Sequence, residues 1–294
     1  MGAAAGFSVE RPTPAGWDLA LDQRSLRSEE ASCAALHQHP HCHMSELRGI
    51  RVLVTGASSG LGAAMAAALA EAGARVMVTS REQARAEATA RELGSLAIPC
   101  QLDVRDERSV AACIDRARDA WRGIDMLVNN AGIGMRTVNP RFMSEPQPFW
   151  EVAPAGFRDV METKVVGCFL MARAVMPLML REGGGRIVNI SMNKQTMVRR
   201  GFVPYGPAGA GVEALSRVMA ADLAGSSVTV NILLPGGGTR TGMLPDEVPA
   251  EVRAALLDPA VMGPPIVWLA SDQAVGVHDR RIVATEFDAA SAAP

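Results

Sequence analysis

Aromatic side chains make up only 4% of this 294-residue chain, and tyrosine occurs once, as Tyr205. Proteins that read nucleic acid interleave aromatics with a basic stripe. Here acids and bases nearly cancel to a net charge of −2, and there is no such stripe, so nucleic acid is not an expected partner. The five cysteines (Cys33, Cys42, Cys100, Cys113 and Cys168) are odd in number, irregularly spaced and without a CxxC pair. That argues against a disulfide framework and for a reduced, cytoplasmic protein. The N-terminus has no basic segment leading into an apolar core, as a secretion signal would. The most apolar stretch, Val165 to Leu180, is interrupted by Arg173 and Pro177. It is shorter than the roughly 20 residues a bilayer requires, so no membrane association is expected and it reads as a buried or interface helix.

Hydrophobic residues make up 48% of the chain, with 16 methionines among them. That is enough to cover both faces of a buried parallel sheet, with soft side chains filling gaps. Residues 1–43 differ from the rest: they mix Ala, Pro and Gly with charges, show no sustained period, and end in a run of His and Cys from His37 to His43. The run matches no structural zinc spacing. It reads either as a metal-binding tract or as a disordered tail with adventitious metal affinity, and its composition favours the tail. Met44 is then a candidate for the true start, with one domain over 44–294.

From Arg51 onward, strand and helix patterns alternate. Strands are expected at 51–55, 75–79, 96–102, 125–129, 186–191, 228–234 and 281–285. Helices are expected at 61–72, 82–93, 107–121, about 157–181, about 205–223 and 261–270. This alternation predicts an α/β fold, a single Rossmann-like domain with a doubly wound parallel sheet and right-handed crossovers.

Between the first strand and helix stands Thr55-Gly56-Ala57-Ser58-Ser59-Gly60-Leu61-Gly62. Gly56 permits the tight turn, Gly60 lets the backbone approach a pyrophosphate, and Gly62 lets helix and strand pack closely. The N–H groups at the helix start then favour an anion. The second strand ends in Ser80-Arg81, with no acid to accept from a ribose hydroxyl. A guanidinium suits a 2′-phosphate, so NADP(H) is expected in preference to NAD(H).

Further motifs stand in order along the chain: Leu102-Asp103-Val104 after the third strand, Asn129-Asn130-Ala131-Gly132 after the fourth, and Pro235-Gly236 followed by Thr239 and Thr241. With three residues between Gly56 and Gly60, these motifs make the chain resemble the short-chain dehydrogenase/reductase family over roughly residues 46–288. The resemblance implies cofactor contacts from Gly56, Ser58, Ser59 and Leu61 in the turn and Arg81 beside the ribose. Asp103 and Val104 would meet the adenine, Asn130, Ala131 and Gly132 would follow the fourth strand, and Pro235, Gly236 and Thr239 would hold the nicotinamide carboxamide. It also implies hydride transfer to or from a carbonyl carbon while a tyrosine passes the proton, and a homodimer or homotetramer.

Tyr205 fits the implied tyrosine, but the lysine implied four residues later is Gly209. A cation about 4 Å from the phenol at an effective dielectric near 20 is worth about 4 kcal/mol, or about three pKa units. Without it the phenol is a poor base at neutral pH but remains a competent acid. The implied serine, thirteen residues before Tyr205, is Met192, and Ser191 stands one residue earlier. Ser191 reads equally as a re-aimed catalytic hydroxyl or as a strand-end hydroxyl, and Asn193 is a further hydrogen-bond donor. The implied asparagine on the long helix, three residues before Gly167, is Lys164. Its ammonium is either a substitute for the absent lysine or a snorkelling side chain.

The loop 133–154 carries Met135, Phe142, Met143, Phe149 and Trp150, as either a wall for a small to medium lipophilic substrate or a lid on the core. Met197, Phe202 and Met243 would extend that wall. Three functions are consistent with these residues: an NADP(H)-dependent carbonyl reductase using Tyr205 and Lys164, a pseudoenzyme, and a non-redox enzyme such as a cyclase or dehydratase in the same pocket.

Overall fold

The computed structural model describes residues 47–292; the N-terminal extension with its His/Cys run, and Met44, lie outside them. Seven strands form one parallel sheet in the order β3-β2-β1-β4-β5-β6-β7. They are β1 (Arg51–Val54), β2 (Arg75–Ser80), β3 (Ala97–Gln101), β4 (Met126–Asn129), β5 (Gly185–Ile190), β6 (Val228–Leu234) and β7 (Arg281–Val283). The order reverses between β1 and β4, and ligands of open α/β sheets bind in the crevice at such a reversal.

Side-chain alternation along the strands builds two cores. Val52, Val54, Val76, Val78, Val128 and Val188 face one side, packed against α1 (Gly60–Glu71), α2 (Gln83–Leu93) and α9 (Gly263–Ala270). Leu53, Met77, Leu127, Ile187 and Val230 face the other, against α3 (Glu107–Trp121) and α5 (Gly167–Arg181). Helix α3 shows the pattern plainly: Val110, Cys113, Ile114, Ala117 and Trp121 form its buried stripe, and Asp106 caps its N-terminus by accepting from Arg108 N at 2.9 Å. This is the doubly wound α/β architecture expected from the alternation.

The strands follow the expected ranges closely. The long helix differs from its expected range. It starts at Pro154, where a proline at the first helical position lacks only an N–H that has no partner anyway. It runs as α4 (Pro154–Met161), a π turn over Glu162–Val166, and α5. By length and composition this 28-residue span would cross a bilayer, but 56% of its most apolar window is buried inside the fold. Three short α-helices were not expected: α6 (Lys194–Met197) after β5, α8 (Ala250–Ala254) beyond β6 and α10 (Ala289–Ala292) beyond β7.

Candidate active site

The turn after β1 is held by the turn after β4. Thr55 Oγ1 accepts from the backbone N–H groups of Asn130 and Ala131, both at 2.9 Å. The Asn130 amide donates back to the carbonyls of Thr55 (2.9 Å) and Gly56 (3.1 Å). Gly56 sits at φ +63° and Gly60 at φ +56°, both in the left-handed region. A Cβ at Gly62 would run into the Gly56 carbonyl oxygen and the Asn130 amide. No side chain caps the start of α1 at Ser59, and the first turn carries no acid. Its N–H groups and dipole therefore suit a pyrophosphate.

At the end of β2, Ser58 Oγ donates to Ser80 Oγ at 3.2 Å, which joins the turn to the ribose-reading position. The Arg81 side chain is exposed and makes no ion pair among the described residues, while its carbonyl accepts from Gln101 at 2.9 Å. Asp103 is tied up by Arg105, whose Nη2 donates to its carboxylate at 2.7 Å; this pairing holds the carboxyl below the usual carboxylate range. Arg105 also reaches Asp159 at 2.8 Å. Val104 is buried and packs where a Cβ at Gly167 would come within 2.5 Å of it, so that glycine lets α5 approach. On the far side, the loop after β6 leans over the start of α1: a Cβ at Gly60 would meet Thr241 at 3.2 Å. Pro235 and Gly236 begin that loop, and the Gly236 carbonyl accepts from Asn193 Nδ2 at 2.8 Å. Thr239 Oγ1 donates to the Gly237 carbonyl at 3.3 Å. Residues of both glycine loops and of the Asn129–Gly132 turn thus gather at the uncapped start of α1, whose backbone donors fit a dinucleotide.

Tyr205 opens α7 (Tyr205–Asp222). Its ring packs near Phe202, centroids 6.5 Å apart, in a cluster with Met135 and Phe142. Val138 and Met143 pack against that cluster. Part of the loop 133–154 is therefore a wall beside the phenol, whereas Phe149 and Trp150 meet edge to face and are exposed. Burial pushes the Tyr205 phenol above its ordinary pKa.

The π turn directs Lys164 inward. The residue is only 9% exposed, its ammonium lies 5.2 Å from the centroid of the Tyr205 ring, and a Cβ at Gly132 would meet it at 3.3 Å. A cation over an aromatic face is held by the ring quadrupole. Among the described residues no carboxylate pairs with it. Its neighbour Cys168 has a thiol pushed up to about 12 by burial, so it is neutral at pH 7 and provides no counter-charge. Desolvation lowers the lysine to about 8. Lys164 and Tyr205 are thus brought together.

Ser191 is directed elsewhere. Its hydroxyl donates to Glu213 at 2.7 Å. Glu213 also accepts from Arg281 Nε at 2.8 Å, and Arg281 Nη2 donates to the Met192 carbonyl at 3.0 Å. This clamp joins β5, α7 and β7. Met192, in the implied serine position, lies over Gly209: a Cβ there would meet its Cε at 2.6 Å and Sδ at 2.8 Å. The methionine fills the space where a lysine from α7 would leave its helix. Sequence reasoning missed Glu213, Arg281 and this use of Met192. Glu213, eight residues after Tyr205 on one helix face, was a readable signal; Arg281 was not.

The short chain dehydrogenase family model matches residues 51–251. The chain is 35% identical over 235 residues to the 3-oxoacyl-(acyl-carrier-protein) reductase FabG of Vibrio cholerae, covering 78% of this chain and 92% of that one. It is 37% identical over 234 residues to the cis-4-hydroxycyclohexanecarboxylate dehydrogenase of Sinomonas cyclohexanicum, covering 76% and 89%. Among solved structures it is similar to the 3-ketoacyl-(acyl-carrier-protein) reductase of Brucella melitensis complexed with NADH, with a TM-score of 0.71, 28% identity, and coverage of 81% and 97%.

Proposed function

The chain belongs to the short-chain dehydrogenase/reductase family, and from this we propose that it reduces the carbonyl of a small to medium lipophilic substrate with NADPH. The observation that carries the reading is the pairing of a phenol held neutral by burial with a buried ammonium on its ring. A neutral phenol is the acid that reduction needs, and a base poised for oxidation would need its pKa lowered.

In this reading the first glycine turn and the uncapped start of α1 hold the pyrophosphate. The unpaired Arg81 takes the 2′-phosphate, which Asp103 does not oppose because Arg105 neutralises it. When bound, the dinucleotide supplies the hydride. Tyr205 donates its proton to the carbonyl oxygen, and Lys164 steadies the negative charge that grows on the phenol. Met135, Phe142, Met143 and Phe202 exclude water beside it and favour an apolar substrate body. Ser191, engaged by Glu213, positions the chain after β5 rather than the substrate.

That engagement also favours a second reading, a cofactor-binding protein without turnover. Two measurements decide between them: NADPH binding by fluorescence, and turnover against a panel of ketones. Turnover that falls about 100-fold or more in Tyr205→Phe, the range general acid catalysis supplies, is the expected result. Binding without turnover on any ketone would establish the second reading, and equal affinity for NADPH and NADH would refute the role of Arg81. The same reading includes self-association through Val166, Phe169 and Val218, apolar side chains exposed on the π turn, α5 and α7.

A further inference from the structure

The Tyr205 hydroxyl faces a sulfur. Met243 Sδ lies 3.9 Å from it, on the loop that follows β6. Met243 does not hang there by chance. A Cβ at Gly134 would meet its Cβ and Cγ at 3.1 Å and its Sδ at 3.2 Å, so Gly134 forms the seat it rests in. Arg136 fixes the backbone on either side, donating to the carbonyls of Gly242 (3.5 Å) and Leu244 (3.4 Å) and pairing with Asp246 at 2.6 Å. Ser144 donates to Glu247 at 2.6 Å and ties the two loops a second time. The thioether is thereby held against the proton-donating oxygen, where the oxygen of a carbonyl substrate has to arrive.

Among the described methionines, Met243 is also the exposed one, at 36%; the rest are buried or half-buried. A solvent-borne peroxide therefore meets this thioether before that of any other described methionine. We propose that Met243 is an oxidation site that closes the active site: its sulfoxide oxygen takes the hydrogen bond of Tyr205 and excludes the carbonyl substrate. The proposal rests on Tyr205 being the proton donor. In the reaction the sulfur donates an electron pair to one oxygen of hydrogen peroxide, the O–O bond breaks, the S=O bond forms, and water leaves. The sulfur is oxidised and the peroxide reduced. A thioether is a weak acceptor, whereas a sulfoxide oxygen is a strong one that resembles a carbonyl in polarity. The new oxygen projects into the 3.9 Å gap, which accommodates one bonded oxygen and a short O–H···O hydrogen bond. Reduction of the sulfoxide reverses the closure.

The test exploits the single tyrosine, since phenolate absorbance reports Tyr205 alone. The full chain is treated with dilute hydrogen peroxide, digested and weighed, and assayed for turnover and phenol titration. The peptide carrying Met243 should gain one oxygen before any other described methionine. Turnover should fall ~10-fold or more, the factor that competition by one hydrogen bond supplies. The phenol midpoint should move upward, because a hydrogen bond donated by the neutral form favours it. A methionine sulfoxide reductase should restore both. Met243→Leu should lose neither its own untreated turnover nor its own untreated midpoint on peroxide treatment. Oxidation of Met243 with an unmoved phenol titration overturns the proposal, and so does equal inactivation of the leucine variant. If the chain turns over no ketone, the reductase reading fails by itself, and the phenol titration still decides the fate of Met243.

Discussion

Lys164 bears an electrostatic penalty as a charge held out of water. Among the described residues its ammonium is buried without a carboxylate, and desolvation brings it from 10.5 to about 8. The folded pKa lies below the unfolded one, so between pH 8 and pH 10.5 the unfolded chain binds more protons and stability rises with pH. Below pH 8 the penalty is complete; above pH 10.5 it is gone. Replacing the charge by an isosteric thioether removes it. Lys164→Met should therefore gain at most about 3 kcal/mol at pH 7, a gain that closes as the pH passes from 8 to 10.5. Urea unfolding midpoints across that range measure it, and a variant less stable at pH 7 than at pH 10 relative to the parent would reject the account. The same variant should lose turnover, since buried charge at an active site commonly sets function against stability. For the parent, reduction should weaken as pH rises through about 8, where the ammonium that supports Tyr205 becomes neutral.

At the scale of elements, the π turn and the start of α7 act as a pair. The π turn, a form frequent at functional sites, brings Lys164 toward Tyr205 from the long helix. At the start of α7, Met192 closes the route from the other side by packing on Gly209. A lysine restored at 209 alone meets the methionine. Gly209→Lys gains about 1 kcal/mol of helix propensity but loses about 1–3 kcal/mol to overpacking. Met192→Ser opens the space. The two changes together should cost less than their sum by about 1 kcal/mol, as expected for contacting residues. A double-mutant cycle by urea unfolding reads this, and strict additivity would show that the two side chains do not compete. Adding Lys164→Asn to the pair exchanges the proposed cation for the set the family resemblance implies and should lower turnover; a rise would show that Lys164 is not the working cation.

In the whole molecule, the sheet gathers loops from distant parts of the chain at one edge of the crevice, and the clamp of Ser191, Glu213 and Arg281 links β5, α7 and β7 beneath it. The π turn, α5 and α7 each expose an apolar side chain: Val166 is 42% exposed, Phe169 45% and Val218 57%. The proposed self-association would cover these side chains. Sedimentation at micromolar concentration should give a dimer or larger, and Phe169→Arg should shift it toward the monomer. A monomeric parent chain would show that this surface has another use.

The sequence alone determined the order of the strands' appearance, the glycine turn and the crevice it borders, because these depend on local periods and on backbone conformations that only certain residues adopt. It placed the domain's longer helices to within a few residues, the long one starting three residues early at Pro154, but not the short α6, α8 and α10. Tertiary structure alone decided which partner each polar side chain takes. Ser191 lies next to its strand end in sequence, yet its bond goes to Glu213 on α7, which also binds an arginine from the last strand. Met192 meets Gly209, and Met243 meets Tyr205, only because parallel strands far apart in sequence end side by side. Those contacts depend on where separate elements come to rest, and no local pattern encodes that.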